Sequence, residues 1–451
     1  ARIEAENPAL LLAWLEGRAG VTAMASPLSA SGTVAIGPER MALEDLKARI
    51  DGKTIHGRML YLHAAERPAR LEAELKADDV DLDALGGSLQ ALLGRDVRSF
   101  PTEAKVTLDL GAARLFGAQG KSIAASLQLD GQGLVIDRLS IGDLGGARVS
   151  AQGRIAEPFK APQGSLTLDV SAGKLDGVLT VLTSISPGTA EQIRRVQGRL
   201  APLQGRLRLK IDRQEGAQTS TAQLGLEARA GIARIGLIAD AAGDIASPAS
   251  ATWRIDGRLE AEEGPVLAAV LGIDRLVIVD RRPAWVRLVA NTEKDGAVRL
   301  DARLNAGGLD ASAKGAMQGL DAQRLSGSFD VSIAAADVSA LLHWPDATGS
   351  RTALPFTLKT RLELDRRAIS ASALYATVAG GAVHGNLTAR FDNLDAKPEV
   401  TGRLEAESAD LAAVFAIASG ALANAASDGG WSAEPFKPLI GWLSGSVEVR
   451  T

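Results

Sequence analysis

Stretches in which every second residue is aliphatic recur along this chain, and no other feature limits its fold as strongly. Val106-Thr107-Leu108-Asp109-Leu110, Ser126-Leu127-Gln128-Leu129-Asp130, Arg206-Leu207-Arg208-Leu209-Lys210-Ile211-Asp212 and Phe356 to Leu364 all follow this pattern. Side chains of a strand point alternately to its two faces, so each stretch makes a strand with one dry and one wet side, as antiparallel sheets have. Glycine-rich turns separate the stretches: Asp51-Gly52, Gly145-Gly146, Gly307-Gly308 and Gly380-Gly381, each followed by a further glycine at 57, 153, 315 or 385. Such pairs supply the positive φ that tight hairpins need.

A second regularity sits above the first. The phrase Arg-Ile/Leu-Glu-Ala stands at Arg2, Arg70, Arg258 and Arg403, and looser copies, Leu166 to Val170 and Phe329 to Ile333, fill the gaps. With starts at residues 2, 70, 165, 258, 328 and 403 the unit averages about 80 residues, too long for a helical solenoid repeat and suited to several strands plus one helix. A helical stripe follows the phrase: Leu82, Leu85, Leu89 and Leu92; Leu175, Val178, Leu179 and Leu182; Leu411, Val414 and Phe415. Asp79, Asp81, Asp337 and Asp410 precede or open these helices, where a carboxylate accepts orphan N–H groups, and Gly94 and Gly198 mark stops. A helix of about 12 residues leaves each unit room for roughly five strands, or some 25 in the chain. The expected fold is mainly β with short α-helices: an elongated, curved, mostly antiparallel sheet forming a groove from repeated strand-plus-helix units. Residues 1–213, 214–349 and 350–451 form the expected segments, the pattern turning irregular from Gln214 to Thr252.

Composition removes several function classes. Among 451 residues, 50 Lys and Arg face 54 Asp and Glu, a net charge of −4 that offers no footprint for nucleic acid. The absence of cysteine excludes thiol catalysis, disulfides and Cys-ligated zinc. The four histidines, at 56, 63, 343 and 384, show no metal-binding spacing. Asp79-Val80-Asp81-Leu82-Asp83 begins like a calcium loop but has Ala84 and Gln90 where that loop needs Gly and Glu. There is no Gly-x-Ser-x-Gly elbow and no phosphate-binding glycine motif. Neither catalytic residues, metal ligands nor a cofactor are expected, and the chain reads as a non-enzyme. Six dispersed Trp and two Tyr cannot build the aromatic girdles of an outer-membrane barrel, and Asn386-Leu387-Thr388 reads as the wet face of a strand. The apolar runs Leu10 to Leu15 and Leu411 to Ala426 fall short of a membrane span. With no initiator Met and Arg2 already inside the repeat, the chain reads as an excised piece.

What remains is the dry face. About six short helices have to cover about 25 strands, and an uncovered aliphatic face of that size calls for a ligand. Long alkyl chains match it, since burial is worth about 0.8 kcal/mol per methylene. The residues expected to line it are Leu108, Leu110, Leu127, Leu129, Leu207, Leu209, Ile211, Leu358, Leu362 and Leu364. The alternative is a closed β-solenoid or sandwich scaffold whose dry faces meet each other and whose polar surface binds proteins or glycans.

Leu354-Pro355-Phe356, Ala379-Gly380-Gly381-Ala382-Val383-His384-Gly385, Pro398 to Asp410 and Gly430-Trp431-Ser432-Ala433-Glu434-Pro435-Phe436 together resemble the C-terminal region of the AsmA family. Ala433 stands where that family typically has Asp, and the following strand ends at Thr451. The resemblance implies a Gram-negative protein held in the inner membrane by an N-terminal helix absent from this fragment. It would project a twisted β-groove into the periplasm, as bacterial relatives of bridge-type lipid-transfer proteins do. The implied partners are phospholipid acyl chains and envelope or outer-membrane proteins, and the implied role is phospholipid transport to the outer membrane and its integrity.

Overall fold

The computed structural model describes residues 2–5, 28–50, 52–64, 67–83, 103–130, 133–156, 163–213, 219–243, 251–274, 276–293, 295–318, 326–338, 353–365, 367–378, 380–391, 399–407 and 444–450. The chain divides into two compact units, Ala1–Glu215 with Gln223–Gly231, and Gly216–Ala222 with Ile232–Thr451. The segments 214–349 and 350–451 thus belong largely to one unit, because the strands on either side of residue 350 pair directly along ten residues.

In the first unit the strands are Arg2–Ala5 (β1), Leu28–Ile36 (β2), Arg40–Ile50 (β3), Lys53–Ala64 (β4), Arg67–Asp81 (β5), Glu103–Leu115 (β6), Ala118–Asp130 (β7), Gly133–Leu144 (β8), Ala147–Ala156 (β9), Gln163–Ala172 (β10) and Leu203–Arg213 (β11), with most of Ser220–Ala230 (β12). Helices Asp176–Ile185 (α1) and Pro187–Leu200 (α2) stand between β10 and β11. The second unit holds Ala233–Gly243 (β13), Thr252–Ala261 (β14), helix Gly264–Leu271 (α3), Ala284–Thr292 (β15), Val298–Ala306 (β16), Leu309–Gln318 (β17), Ser326–Ala335 (β18), Phe356–Asp365 (β19), Ala368–Val378 (β20), Gly381–Arg390 (β21), Glu399–Ala406 (β22) and Ser444–Arg450 (β23). From β1 to β11 and from β13 to β23 each strand pairs with its neighbours in the chain, giving each unit an unclosed, mostly antiparallel sheet. The expected mainly β, mostly antiparallel architecture is what the structure shows.

The repeat has a directional meaning. Its six phrases fall on β1, β5, β10, β14, β18 and β22. The usual interval is four strands, and after an even number of antiparallel steps the phrase strand points the same way again. Five strands separate β5 from β10, but β5 and β6 pair parallel, so the odd strand restores the direction. Within each unit, therefore, every connection after a phrase strand leaves from the same end of the sheet, and that is where the described helices sit. The phrase itself alternates: Leu71 and Ala73, or Leu259 and Ala261, go to one face, while Arg70 pairs with Glu72 at 2.8 Å and Arg258 with Glu260 on the other.

Residues Gln214 to Thr252, irregular by pattern, supply β12 and β13 as regular strands; Ala and Gly in place of Leu and Val weaken the alternation without breaking it. Gly198 is not a stop, since α2 runs on to Leu200; Pro202 ends it, forcing Ala201 into an extended conformation. Asp79 does not cap a helix. It lies inside β5 and pairs with Lys53 at 2.8 Å, while Asp83 accepts hydrogen bonds from the N–H groups of Phe116 and Gly117 at 2.7 and 2.9 Å, holding the β6–β7 turn. The expected stripe beyond Leu82, Gly94, the part of the helix expected from Asp337 that follows Val338, Asp410 with Leu411 to Ala426, and Gly430 to Phe436 lie outside the described residues.

Candidate apolar sheet face

Register decides which side chains share a face, because residues directly opposite in a sheet project to the same side. In the first unit one row runs Leu75, Leu108, Ala125, Leu139, Ala151, Leu168 and Leu207 across seven strands. Beside it run Ala73, Val106, Leu127, Ile136, Gly153, Leu166 and Leu209, and then Leu71, Ala104, Leu129, Leu134, Ile155, Gly164 and Ile211. A fourth row, Ala77, Leu110, Ile123, Ile141, Val149, Val170 and Gly205, borders the helix end. Every side chain in the four rows is aliphatic or glycine. All seven residues expected in this unit, Leu108, Leu110, Leu127, Leu129, Leu207, Leu209 and Ile211, fall within them.

The second unit repeats the layout. Ala239, Ile255, Ala290, Leu300, Gly315, Phe329, Leu362, Ala371 and Leu387 form one row, and Ile235, Leu259, Val286, Leu304, Ala311, Ile333, Leu358, Ala376 and Val383 another. Leu364 continues the face between Gly327 and Ile369. Thr360 interrupts it between Leu358 and Leu362; its hydroxyl donates to the Ser372 carbonyl at 2.9 Å, closing the bulge of β20 at which Ala373 has a positive φ.

Coverage is uneven. At the helix end Leu110, Ile123, Ile141 and Ala147 are buried, with Leu175 and Leu179 at and within α1. Here β5 to β8 bury residues three apart: Ala77 and Val80, Leu110 and Ala113, Ile123 and Gly120, Ile141 and Leu144. An interval of three stays on one side only where the strands kink, and the kink falls at Asp78, Gly111, Ser122 and Gly142. Ser122 has φ 54°, and a Cβ on Gly111 would sit 2.8 Å from the Asp78 carbonyl oxygen. Away from the helices Leu108, Leu127, Leu129, Leu207 and Leu209 are half-buried, as are Leu358, Leu362 and Leu364, whereas Ile211 is buried beside Gly164. Among the described residues, the helices meet the sheets mainly at β7 and β9 for α1 and at β14, β15 and β16 for α3.

The opposite face is polar and stitched by ion pairs between neighbouring strands: Arg58 with Glu74 at 2.5 Å, Arg206 with Asp169 at 2.6 Å, Arg287 with Asp256 at 2.7 Å and Arg361 with Asp330 at 3.0 Å. Hydrogen bonding and charge from Arg58 and Arg287 hold Glu74 and Asp256 below the usual carboxylate range. His384 lies 3.4 Å from Glu405 on this face, and Asn386 is exposed. Around the β20 bulge the polar face has a concavity of about 680 Å³, lined by Ser312, Ser332, Lys359 and Arg361 among others. Among the described residues no group of three or more His, Asp or Glu is placed to hold a metal, and no helix is long and apolar enough to cross a membrane.

Pattern reading missed Ile136 and Leu139 because the β8 bulge at Asp137 and Arg138 puts them three apart. It also passed over Val286, Leu300 and Leu304, where alternating arginines, Arg287, Arg299 and Arg303, were the available signal.

Comparison with protein-family models, with curated proteins and with solved structures gave no match to this chain.

Proposed function

We propose that this chain is a non-enzymatic envelope protein that shields phospholipid acyl chains on its aliphatic sheet face as they pass through the periplasm between inner and outer membrane. The observation that carries the reading is the four-row aliphatic face of the first unit, seven strands wide and helix-covered at one end. Smooth walls of Leu, Val, Ile and Ala present no polar group that would fix a ligand at one place, which suits a chain that slides. Burying a 16-carbon acyl chain gains on the order of 12 kcal/mol before ordering costs. The AsmA-like motifs in the last quarter point the same way, toward phospholipid supply of the outer membrane.

Native mass spectrometry of the purified chain after incubation with phospholipid vesicles, followed by lipid extraction, tests the reading. Stoichiometric phospholipid is expected, and Leu108→Asp, Leu209→Asp and Leu362→Asp together should abolish it while circular dichroism stays unchanged. An apo mass that persists after incubation would overturn the proposal and favour a scaffold with mutually closed faces.

A further inference from the structure

The turn between α1 and α2 presents an apolar point next to a cationic helix. Ile185, the last residue of α1, is 73% exposed. Val181 and Leu182 stand one turn behind it, half-buried, and Ser184, Pro187 and Gly188 around it are exposed. The turn is rigid. Ser186 donates its N–H to the Leu182 carbonyl at 2.7 Å, accepts from the Ala190 N–H at 3.1 Å, and shares a 2.8 Å hydroxyl hydrogen bond with Thr189.

The helix beside this point, α2, is cationic. It carries Arg194, Arg195 and Arg199 against the single acid Glu191, a balance of +2 in a chain whose net charge is −4. Arg194 pairs with Glu191 one turn before it and reaches back to the Thr183 hydroxyl at 3.5 Å, which places a guanidinium two residues from the apolar point. A large exposed aliphatic residue beside arginines is what an anionic lipid surface accommodates: the apolar group enters the acyl boundary and the cations meet headgroup phosphates.

We propose that the α1–α2 turn docks the chain onto an anionic lipid surface, with Ile185 inserted below the headgroups and Arg194 and Arg195 among them. This rests on the helix pair alone and stands apart from acyl-chain shielding by the sheet, which extraction and weighing of bound lipid read separately.

The lack of native cysteine allows a direct test. Ile185→Cys carrying an environment-sensitive dye is mixed with vesicles of phosphatidylglycerol and phosphatidylcholine in equal parts, or of phosphatidylcholine alone. Ile238→Cys, on the exposed polar face of β13, serves as the control. The expected result is a blue shift and protection from an aqueous quencher at position 185 on the anionic vesicles only, reversed by salt and absent at 238. In flotation, unlabelled Ile185→Asp should bind about tenfold more weakly, as loss of one buried aliphatic side chain predicts. Arg194→Gln with Arg195→Gln should remove the preference for anionic lipid. An unshifted dye at 185 on vesicle-bound protein, equal binding to both vesicle types, or binding only to a protein partner would overturn the proposal.

Discussion

Helix α3 buries Val266 and Leu267 to 1% and 0% exposure, and the segment after it is tied by backbone hydrogen bonds to neighbouring strand ends: Gly264 N–H to Arg282 O at 2.9 Å, Asp280 N–H to Gly307 O at 2.9 Å and Ile278 N–H to Asp337 O at 3.0 Å. The α1–α2 pair covers the corresponding end of the first unit's sheet while burying only Gly177, Leu179, Ala190 and Leu200 of its own residues. Its backbone meets the β8–β9 turn through Gly177 N–H to Gly145 O at 3.0 Å. Gly-Pro-Val-Leu-Ala-Ala-Val-Leu, without a charge, buries five of its eight residues, whereas α2 spends four of its fourteen residues on charges and keeps a face for solvent or for a surface. One position in the repeat thus serves two ends: a fixed plug in one unit, an appended and partly exposed pair in the other.

The largest effect should come from emptying the plug. Leu267→Ala removes a fully buried side chain and should destabilise the second unit by about 2–5 kcal/mol, read as earlier urea unfolding and loss of amide protection in α3 and β14 to β16. Protection in β6 to β10 should hold; a loss shared equally by both units would break the comparison. The second largest effect probes the seat of α1. A Cβ on Gly177 would lie 1.7 Å from the Leu144 carbonyl oxygen, backbone that cannot swing aside. Gly177→Ala should therefore lift α1, costing about 1–3 kcal/mol and exposing α1 and α2 to exchange while the strands beneath stay protected. Gly198→Ala works in the opposite direction. Nothing lies within 4 Å of the added Cβ, so the substitution should stabilise α2 by about 0.5–1 kcal/mol and slow its exchange.

The fold was legible because two periodicities agree. Period two named strands such as Phe356 to Leu364, and the recurring phrase placed the strands that precede the helices. Parity along β6, β7, β11 and β19 was enough to put all ten expected residues on an apolar face, since each of those stretches lies clear of its strand's bulge or keeps its pairing across it. Burial was less legible. Leu108 and Leu110 look alike in sequence, yet only Leu110 lies under the helix end, because depth depends on what the connections cover and not on the strand's own pattern. A helix start was also misread, because Asp79 has a partner on the neighbouring strand, Lys53, that spacing along the chain does not show. The parallel β5–β6 step could not be foreseen either, as alternation is the same in both orientations; counting five strands against four was the only trace it left.

The smallest expected effect concerns the polar faces, where the two units behave alike. Arg58 holds Glu74 low in the first unit; in the second, Arg287 holds Asp256 low, and Arg450, then Arg403, hold Glu448 low. A carboxylate with a depressed pKa binds fewer protons folded than unfolded, so its contribution is fully present above the unfolded value, about 4, and is lost as pH falls through the folded one. Both sheets should accordingly weaken together below about pH 4 and change little between pH 5 and 7. Because these pairs are exposed, salt should flatten the slope. Arg287→Gln returns Asp256 toward its ordinary value, so it should reduce the acid sensitivity of β14 to β16 and leave that of β4 and β5 untouched, read by amide exchange at pH 3 and pH 6 with intrinsic rates corrected. A first-unit sheet that softened in acid while the second did not would show that the units differ in how their strands are held as well as in how their ends are capped.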